Sequence, residues 1–565
     1  MLSVIIRNGR IVDGSGNPWY RADIGIKDGV IVCIRRHIDG EAQVTIDAKD
    51  MVVAPGFIDV HTHSDYTAIT HSKAHSSVYQ GVTTEATGQC GGTVFPLSEQ
   101  ARQGMRAQIA AFSLKTTEDV DEVCWSDLAG WRKAVSERGV SINLAPYLGH
   151  GTIRTHVMGE EGQGGEKVEP TEEQMRKMLD EVRKAMEDGA FGMSTGLRYV
   201  PGRNAKTKEV IEFAKVVAEY DGVYISHMRS EEEVLVSAVK ELIQISKQAN
   251  ILASSTHHKA MFPENWGKVH ETLRLMDAAR EQGIEVMCDF YPWEYAREAN
   301  LSSYFYPVMP KDLATTDVVK IVEATKREKT WADIKAALYK GYEEEVIRND
   351  TRRRELRESG VMVADIWNPE TFDYVVHSRT HPEIVYKNFR EIADMYGKKD
   401  YWEVMRQVFI DDEGETYVAA GGMSAEDIIT VLKHPLSAVS TDSWILEDFP
   451  TMMHPGMVPH PRNYGTFPLI LHKYVRELKV LSLPEAVRKM SSLPAQFLGL
   501  RDRGLIRESM KADIVVFDPD GVKNNATFKN PCSHPDGIPY VLVNGVLTVF
   551  DGRHTGALAG QVLKR

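Results

Sequence analysis

The stretch Ala54-Pro55-Gly56-Phe57-Ile58-Asp59-Val60-His61-Thr62-His63-Ser64-Asp65 decides how the chain is read. An apolar run entered through a Pro-Gly turn reads as a buried strand, and its polar end carries two histidines one residue apart. Side chains alternate faces along a strand, so His61 and His63 point one way and Thr62 the other. Two imidazoles on one face make half of a metal cage. With 19 His in 565 residues, a His-x-His also arises readily from composition. The pair therefore gains weight only from soft ligands at the ends of other strands.

Working outward, residues 57 to about 500 alternate short apolar strands with amphipathic helices, the habit of a parallel βα fold. Spacing predicts helices over 172–188, 231–248 and 268–282. About eight strand candidates each run into a polar or glycine-rich tail. The tails are His61-Thr62-His63, Gln89-Cys90-Gly91-Gly92, Gly149-His150-Gly151, Ser194-Thr195-Gly196, Ser226-His227, Thr256-His257-His258-Lys259, Asp289-Phe290-Tyr291-Pro292 and Ser440-Thr441-Asp442. A (β/α)8 TIM-like barrel places its chemistry at these C-terminal strand ends, so the tails should ring one mouth. A doubly wound open sheet is the alternative, but no Gly-x-Gly-x-x-Gly follows the first strand.

The ends of the chain have a different texture. Asn8-Gly9 and Asp28-Gly29 are hairpin turns between short strands, and strands return at 512–518 and 540–545. Neither end has the apolar surface for its own core. Residues 1–56 and 503–565 are therefore expected to join as one small β-sandwich, with the barrel (57–502) inserted between them. The connection from Tyr291 to Asp442 is too long for a barrel loop. Its charged middle (Lys326-Arg327-Glu328-Lys329, Arg352-Arg353-Arg354-Glu355) predicts a mostly helical insertion at about 305–425, lying over the mouth.

The bulk properties exclude some functions. A net charge of -13 argues against a nucleic-acid or anionic-membrane surface, and no apolar run reaches the length of a membrane span. The N-terminus reads as a first strand rather than a signal peptide. Five scattered cysteines make a disulfide framework improbable and point to a reducing cytoplasm, where a thiolate stays available to a metal. The sequence leaves the oligomeric state open.

Cys90, His227 and His257 end the second, fifth and sixth strand candidates, opposite His61 and His63. Singly, each reads as a core or rim residue; together they suit tetrahedral zinc with one position left for water, whose pKa zinc lowers to about 7. Asp442, at the last tail, is the carboxylate placed to take that water's proton and return it.

His61-Thr62-His63 after Pro55-Gly56-Phe57-Ile58-Asp59 resembles the opening signature of the amidohydrolase superfamily. More specifically, the chain is similar to N-acyl-D-amino-acid deacylases (D-aminoacylases). The similarity lies in Gly88-Gln89-Cys90-Gly91-Gly92, Gly149-His150-Gly151-Thr152-Ile153-Arg154, Ser194-Thr195-Gly196-Leu197-Arg198-Tyr199, Ser226-His227-Met228-Arg229-Ser230-Glu231, Thr256-His257-His258-Lys259 and His460-Pro461-Arg462-Asn463-Tyr464-Gly465. The resemblance implies a tightly bound zinc on Cys90, His227 and His257, and a second, weaker metal position at His61 and His63 with Asp442 nearby. It makes Asp442 the general acid/base and Tyr199 a donor to the carbonyl oxygen as charge develops. Lys259, Tyr291 and Arg462 take the positions that grip the α-carboxylate of a small N-acyl amino acid, and His258 becomes a bystander. Many relatives bridge two metals with a carboxylated lysine on the fourth strand; here Met193-Ser194-Thr195-Gly196 has none.

The implied reaction is hydrolysis of an N-acyl-D-amino acid to a carboxylate and a free D-amino acid. A dihydroorotase- or hydantoinase-like cyclic amidase is the competing reading, and a dipeptidase cleaving before a C-terminal D-residue is a milder variant. A non-catalytic homologue should have lost ligands, and none is lost here. Extra residues at Trp444 to Pro455 and the segment Trp293-Glu294-Tyr295-Ala296-Arg297-Glu298 depart from the family pattern around the mouth. Acyl and side-chain preference therefore do not carry over. Arg297 is a candidate partner for an acidic substrate side chain and equally an exposed loop arginine.

Overall fold

The computed structural model describes the chain apart from residues 160–168, 262–264, 306–308, 311–312, 314–316, 339–373, 386, 421, 449–458 and 529. Eight strands form the centre: β1 (Phe57–Thr62), β2 (Val82–Thr87), β3 (Asn143–Pro146, continued by Leu148–Gly149), β4 (Gly192–Gly196), β5 (Val223–His227), β6 (Ala253–Ser255), β7 (Val286–Phe290) and β8 (Ser437–Val439). Each strand pairs in parallel with the next. β3 passes from one ladder to the other at Tyr147, because Asn143–Pro146 pairs with β2 and Leu148–Gly149 with β4. The seam between β8 and β1 is closed just beyond the strands. Asp442 N donates to His61 O at 3.0 Å, His63 N donates to Ser443 O at 2.6 Å, and Thr62 and Ser443 form a parallel bridge. The ring is a (β/α)8 barrel.

The helix over Glu172–Glu187 starts from a capping box of Thr171 and Gln174 and buries Met178, Val182 and Met186 on one face. Val269–Glu281 likewise lies where its spacing predicts. The helix expected over 231–248 instead begins at Leu235. Residues before it turn back toward the barrel, and Glu231 is drawn inward.

Both ends of the chain enter one nine-stranded sheet. The strand Val52–Pro55 is the junction, parallel to Leu2–Ile11 on one side and antiparallel to Ile514–Phe517 on the other. Alternation on Ile514–Phe517 then divides two cores. Ile514 and Val516 pack with Ile6, Ile24 and Val53, while Val515 and Phe517 join the main core beside Phe57. Burial on both faces explains why this strand reads as a continuous apolar run.

The connection between β7 and β8 has its own core, in which Phe305, Ile321, Trp331, Trp402 and Phe409 meet. Helices Val318–Thr325, Phe389–Met395 and Tyr401–Asp411 supply most of it. An antiparallel sheet of Arg297–Asn300, Tyr417–Ala420 and Tyr374–His377, not expected from the sequence, ties its two ends together. Its first residues touch the mouth: Arg462 Nη1 donates to Ala296 O at 2.8 Å, and His460 Nε2 lies 3.1 Å from Tyr295 O. The expected charged run at 352–355, the Arg297 side chain and much of the extra segment at 444–455 lie outside the described residues.

Candidate metal centre

The strand tails bring one thiol against three imidazoles. Cys90 Sγ lies 3.5 Å from His61 Nε2, 3.7 Å from His227 Nδ1 and 3.6 Å from His257 Nε2. A tetrahedral zinc ion, with bonds of about 2.3 Å to sulfur and 2.0–2.1 Å to nitrogen, separates such ligands by about 3.6 Å. The donor set and its spacing therefore fit that ion. His61, Cys90, His257 and Asp442 all offer ligand atoms within 4.8 Å of one another, and His227, Glu231 and His257 form a second such group. His61 thus lies with Cys90 as well as with Asp442, so the two expected ligand sets interpenetrate rather than stand apart.

The backbone is bent to make this possible. Cys90 (φ 53°), His257 (φ 37°) and Asp442 (φ 50°) all occupy the left-handed region, at a cost of order 1–3 kcal/mol each. The loop bearing Cys90 is held against β4: Gly91 N donates to Ser194 Oγ at 3.0 Å, and Ser194 Oγ donates to Gly88 O at 2.6 Å. Gly91 itself has φ of 75°, and a Cβ there would sit 2.6 Å from Gly196 N. Only glycine permits this approach.

Asp442 faces the cluster across the mouth. Its Oδ1 lies 3.2 Å from His61 Nε2 and 3.4 Å from His63 Nε2, and Oδ2 is 3.0 Å from Arg462 Nη1. Burial opposes its charge, but Arg462, His257 and His61 outweigh burial and hold the carboxyl well below its ordinary range. Burial, then Asp442 and Glu231, push the Cys90 thiol well above its usual value. A cation that takes the place of the thiol proton answers all three.

Tyr199 OH is 3.2 Å from His227 Nδ1, with the rings 4.5 Å apart. Tyr291 lies between two cations, Lys259 Nζ at 5.2 Å and the Arg462 guanidinium at 4.9 Å from its ring centre. Lys259 is buried and engaged, 2.5 Å from Glu231 Oε1 and 2.9 Å from His257 O. His258 turns away from the cluster, with its ring nitrogens 2.9 Å from Ser255 Oγ and 2.8 Å from Thr272 Oγ1. Burial brings it down to about 3, so it stays neutral. On β4, Ser194 and Thr195 are taken up by Gly88 O, Tyr224 and Ser226, and no lysine enters the site from that strand.

Two carboxylates were missed in the sequence. Asp289 Oδ1 is 3.7 Å from His61 Nδ1 and accepts from His257 N and Ser440 Oγ, linking β1, β6 and β8. Glu231 lies 2.6 Å from His257 Nδ1 and 3.8 Å from His227 Nε2. Asp289 could have been found as the polar end of an otherwise apolar strand; Glu231 was concealed by a predicted helix.

Similarity to known proteins extends over the whole chain. The chain is 30% identical over 562 residues to an N-acyl-D-aspartate deacylase of Alcaligenes xylosoxydans xylosoxydans, covering 99% of this chain and 94% of that one. It is 30% identical to an N-acyl-D-glutamate deacylase of the same organism, covering 100% and 97%. The crystal structure of an N-acyl-D-glutamate deacylase from Bordetella bronchiseptica, complexed with zinc and a phosphonate mimic of the tetrahedral intermediate, superposes with a TM-score of 0.73 at 29% identity over 100% of both chains. The family profile matches residues 44–289 and 450–549, a span that takes in β1 to β7 with every thiol and imidazole of the cluster, and this chain belongs to the amidohydrolase family.

Proposed function

We propose that this protein hydrolyses the amide bond of small N-acyl-D-amino acids, with zinc held by Cys90, His227 and His257 and a weaker second position framed by His61, His63 and Asp442. The observation that carries the reading is the thiol with imidazole nitrogens 3.5 to 3.7 Å away, faced by the Asp442–Arg462 pair. Bound zinc supplies Lewis acidity toward the amide carbonyl and lowers the pKa of water to about 7.

The chain's own groups do the rest. Asp442, ionised and opposite the cluster, takes the attacking water's proton and delivers it to the departing amine. Tyr199, whose hydroxyl sits beside His227, donates to the carbonyl oxygen as negative charge grows there. Arg462 and Tyr291, with Lys259 behind them, grip the α-carboxylate. The Arg462 Nε–H is buried without a hydrogen-bond partner and suits that anion. The Cys90 thiol set among imidazoles suits work in a reducing compartment such as the cytoplasm.

The test is a panel assayed with zinc-loaded protein: N-acetyl and N-formyl D- and L-amino acids with acidic and neutral side chains, a hydantoin, dihydroorotate and a dipeptide ending in a D-residue. Cleavage confined to linear D-substrates is expected. Intact D-substrates alongside cleaved L-forms or opened rings would overturn the reading. β4 offers no bridging lysine, which counts against the cyclic amidase.

A further inference from the structure

We infer that Glu231 is a positioning residue that decides which ring nitrogens of His227 and His257 face the metal, one carboxylate serving both histidines. This deepens the proposed zinc site and rests on that reading.

Glu231 is only 3% exposed and follows β5 in a turn whose position is pinned, Met261 N donating to Glu231 O at 2.8 Å. Its Oε1 lies 2.6 Å from His257 Nδ1, and its Oε2 lies 3.8 Å from His227 Nε2. The nitrogens facing Cys90 are the opposite ones, Nε2 of His257 and Nδ1 of His227. A neutral imidazole carries a proton on one nitrogen and a lone pair on the other. An ionised carboxylate only accepts, so a ring nitrogen turned toward it is held as N–H and the far nitrogen is left with its lone pair for a cation. His227 Nε2 has no hydrogen-bond partner, and Glu231 Oε2 lies 3.8 Å from it. The two histidines must present different nitrogens to one ion. A group with two oxygens on a planar fork meets both demands at once.

Lys259 makes the carboxylate necessary. Its Nζ lies 2.9 Å from His257 Nδ1 as well as 2.5 Å from Glu231 Oε1. An ammonium can only donate, so alone it would take the Nδ1 lone pair and force the proton onto Nε2, the nitrogen that must bind the metal. Glu231 neutralises the lysine and claims the Nδ1 proton for itself. The arrangement also keeps the charge balance local: Glu231 pairs with Lys259 and Asp442 with Arg462.

The test compares wild type with Glu231→Gln, which keeps the shape but turns one acceptor into a donor. Zinc affinity measured by chelator competition should fall about 10–100-fold. In the cobalt-substituted wild type, the exchangeable N–H protons of both imidazoles should appear as hyperfine-shifted, slowly exchanging resonances, and at least one should be lost in the variant. Should Glu231→Gln not fold, Glu231→Asp, which keeps the charge but withdraws both oxygens, is read the same way and should also weaken zinc. A folded variant with unchanged zinc affinity and both resonances intact overturns the inference, even if its melting temperature drops. Cobalt spectra showing one ligand fewer in the variant also overturn it, because Glu231 would then bind the metal itself. A wild type that takes up no zinc instead overturns the underlying reading.

Discussion

Replacing Asp442 by Asn separates proton transfer from charge pairing. The amide fills the same space beside His61 and His63 but cannot carry a proton between water and amine. General acid–base catalysis contributes about 10²–10⁴-fold, so kcat should fall by that factor with zinc still bound. A second effect is independent of catalysis. Asp442 Oδ2 and Arg462 Nη1 are 3.0 Å apart and both largely buried. At an effective dielectric of about 20, unit charges at that distance attract by ~5.5 kcal/mol. Removing one partner of a buried pair costs ~3–5 kcal/mol, because the other stays desolvated and unmatched. The metal-free variant should therefore lose stability of that order. The double variant Asp442→Asn/Arg462→Met should recover most of the loss while remaining slow. The assay reads kcat at saturating N-acyl-D-amino acid with zinc content measured in parallel, then guanidinium unfolding of the metal-free proteins. A zinc-loaded single variant with kcat within about tenfold of wild type would remove Asp442 from proton transfer. A double variant as unstable as the two singles combined would refute the pairing argument.

Cys90→Ser should lower zinc retention on dialysis and abolish the thiolate-to-metal charge-transfer absorption of the cobalt form; persistence of that band would exclude Cys90 as a ligand. Gly196→Ala would drive a methyl into the Cys90 carbonyl, and chelator competition should show weaker zinc although no ligand is altered. Glu209 is buried with His150 and Arg154, 3.0 Å from His150 Nε2 and 2.5 Å from Arg154 Nη1. Burial opposes its charge, but His150 and Arg154 bring it below the ordinary glutamate value. The unfolded chain therefore binds the proton first as pH falls, so the stabilisation is present above the unfolded value and is lost as pH drops through the lowered folded value. Glu209→Gln should cost ~3–5 kcal/mol at neutral pH, and a urea series should show that gap narrowing toward acid; a pH-independent gap would contradict the charge argument.

The barrel was legible because its strands are apolar and end in polar tails, and alternation placed His61 and His63 on one face before any geometry was known. The convergence of Cys90 on three imidazoles is a property of the ring, and no spacing within one segment encodes it. The displaced helix start coincides with the buried contacts of Glu231. The run from Glu231 carries apolar residues at helical spacing, yet the pull of Lys259 and His257 on the Glu231 carboxylate wins over helix propensity, and the helix is delayed to Leu235. The insertion's small sheet escaped for a related reason: Arg297–Asn300 and Tyr374–His377 are short and far apart, and only their shared partner Tyr417–Ala420 makes them strands.

The seam of the ring has a bearing on how the protein matures. Asp442 and His61 share the backbone bond that joins the last strand to the first, and their side chains meet at 3.2 Å in the mouth. The eighth strand is synthesised long after the first, behind the whole insertion, so the pocket exists only once that late segment has docked. A cation arriving afterwards works as a clasp on the closed cylinder, and stripping it should loosen amide protons along that one join before any other.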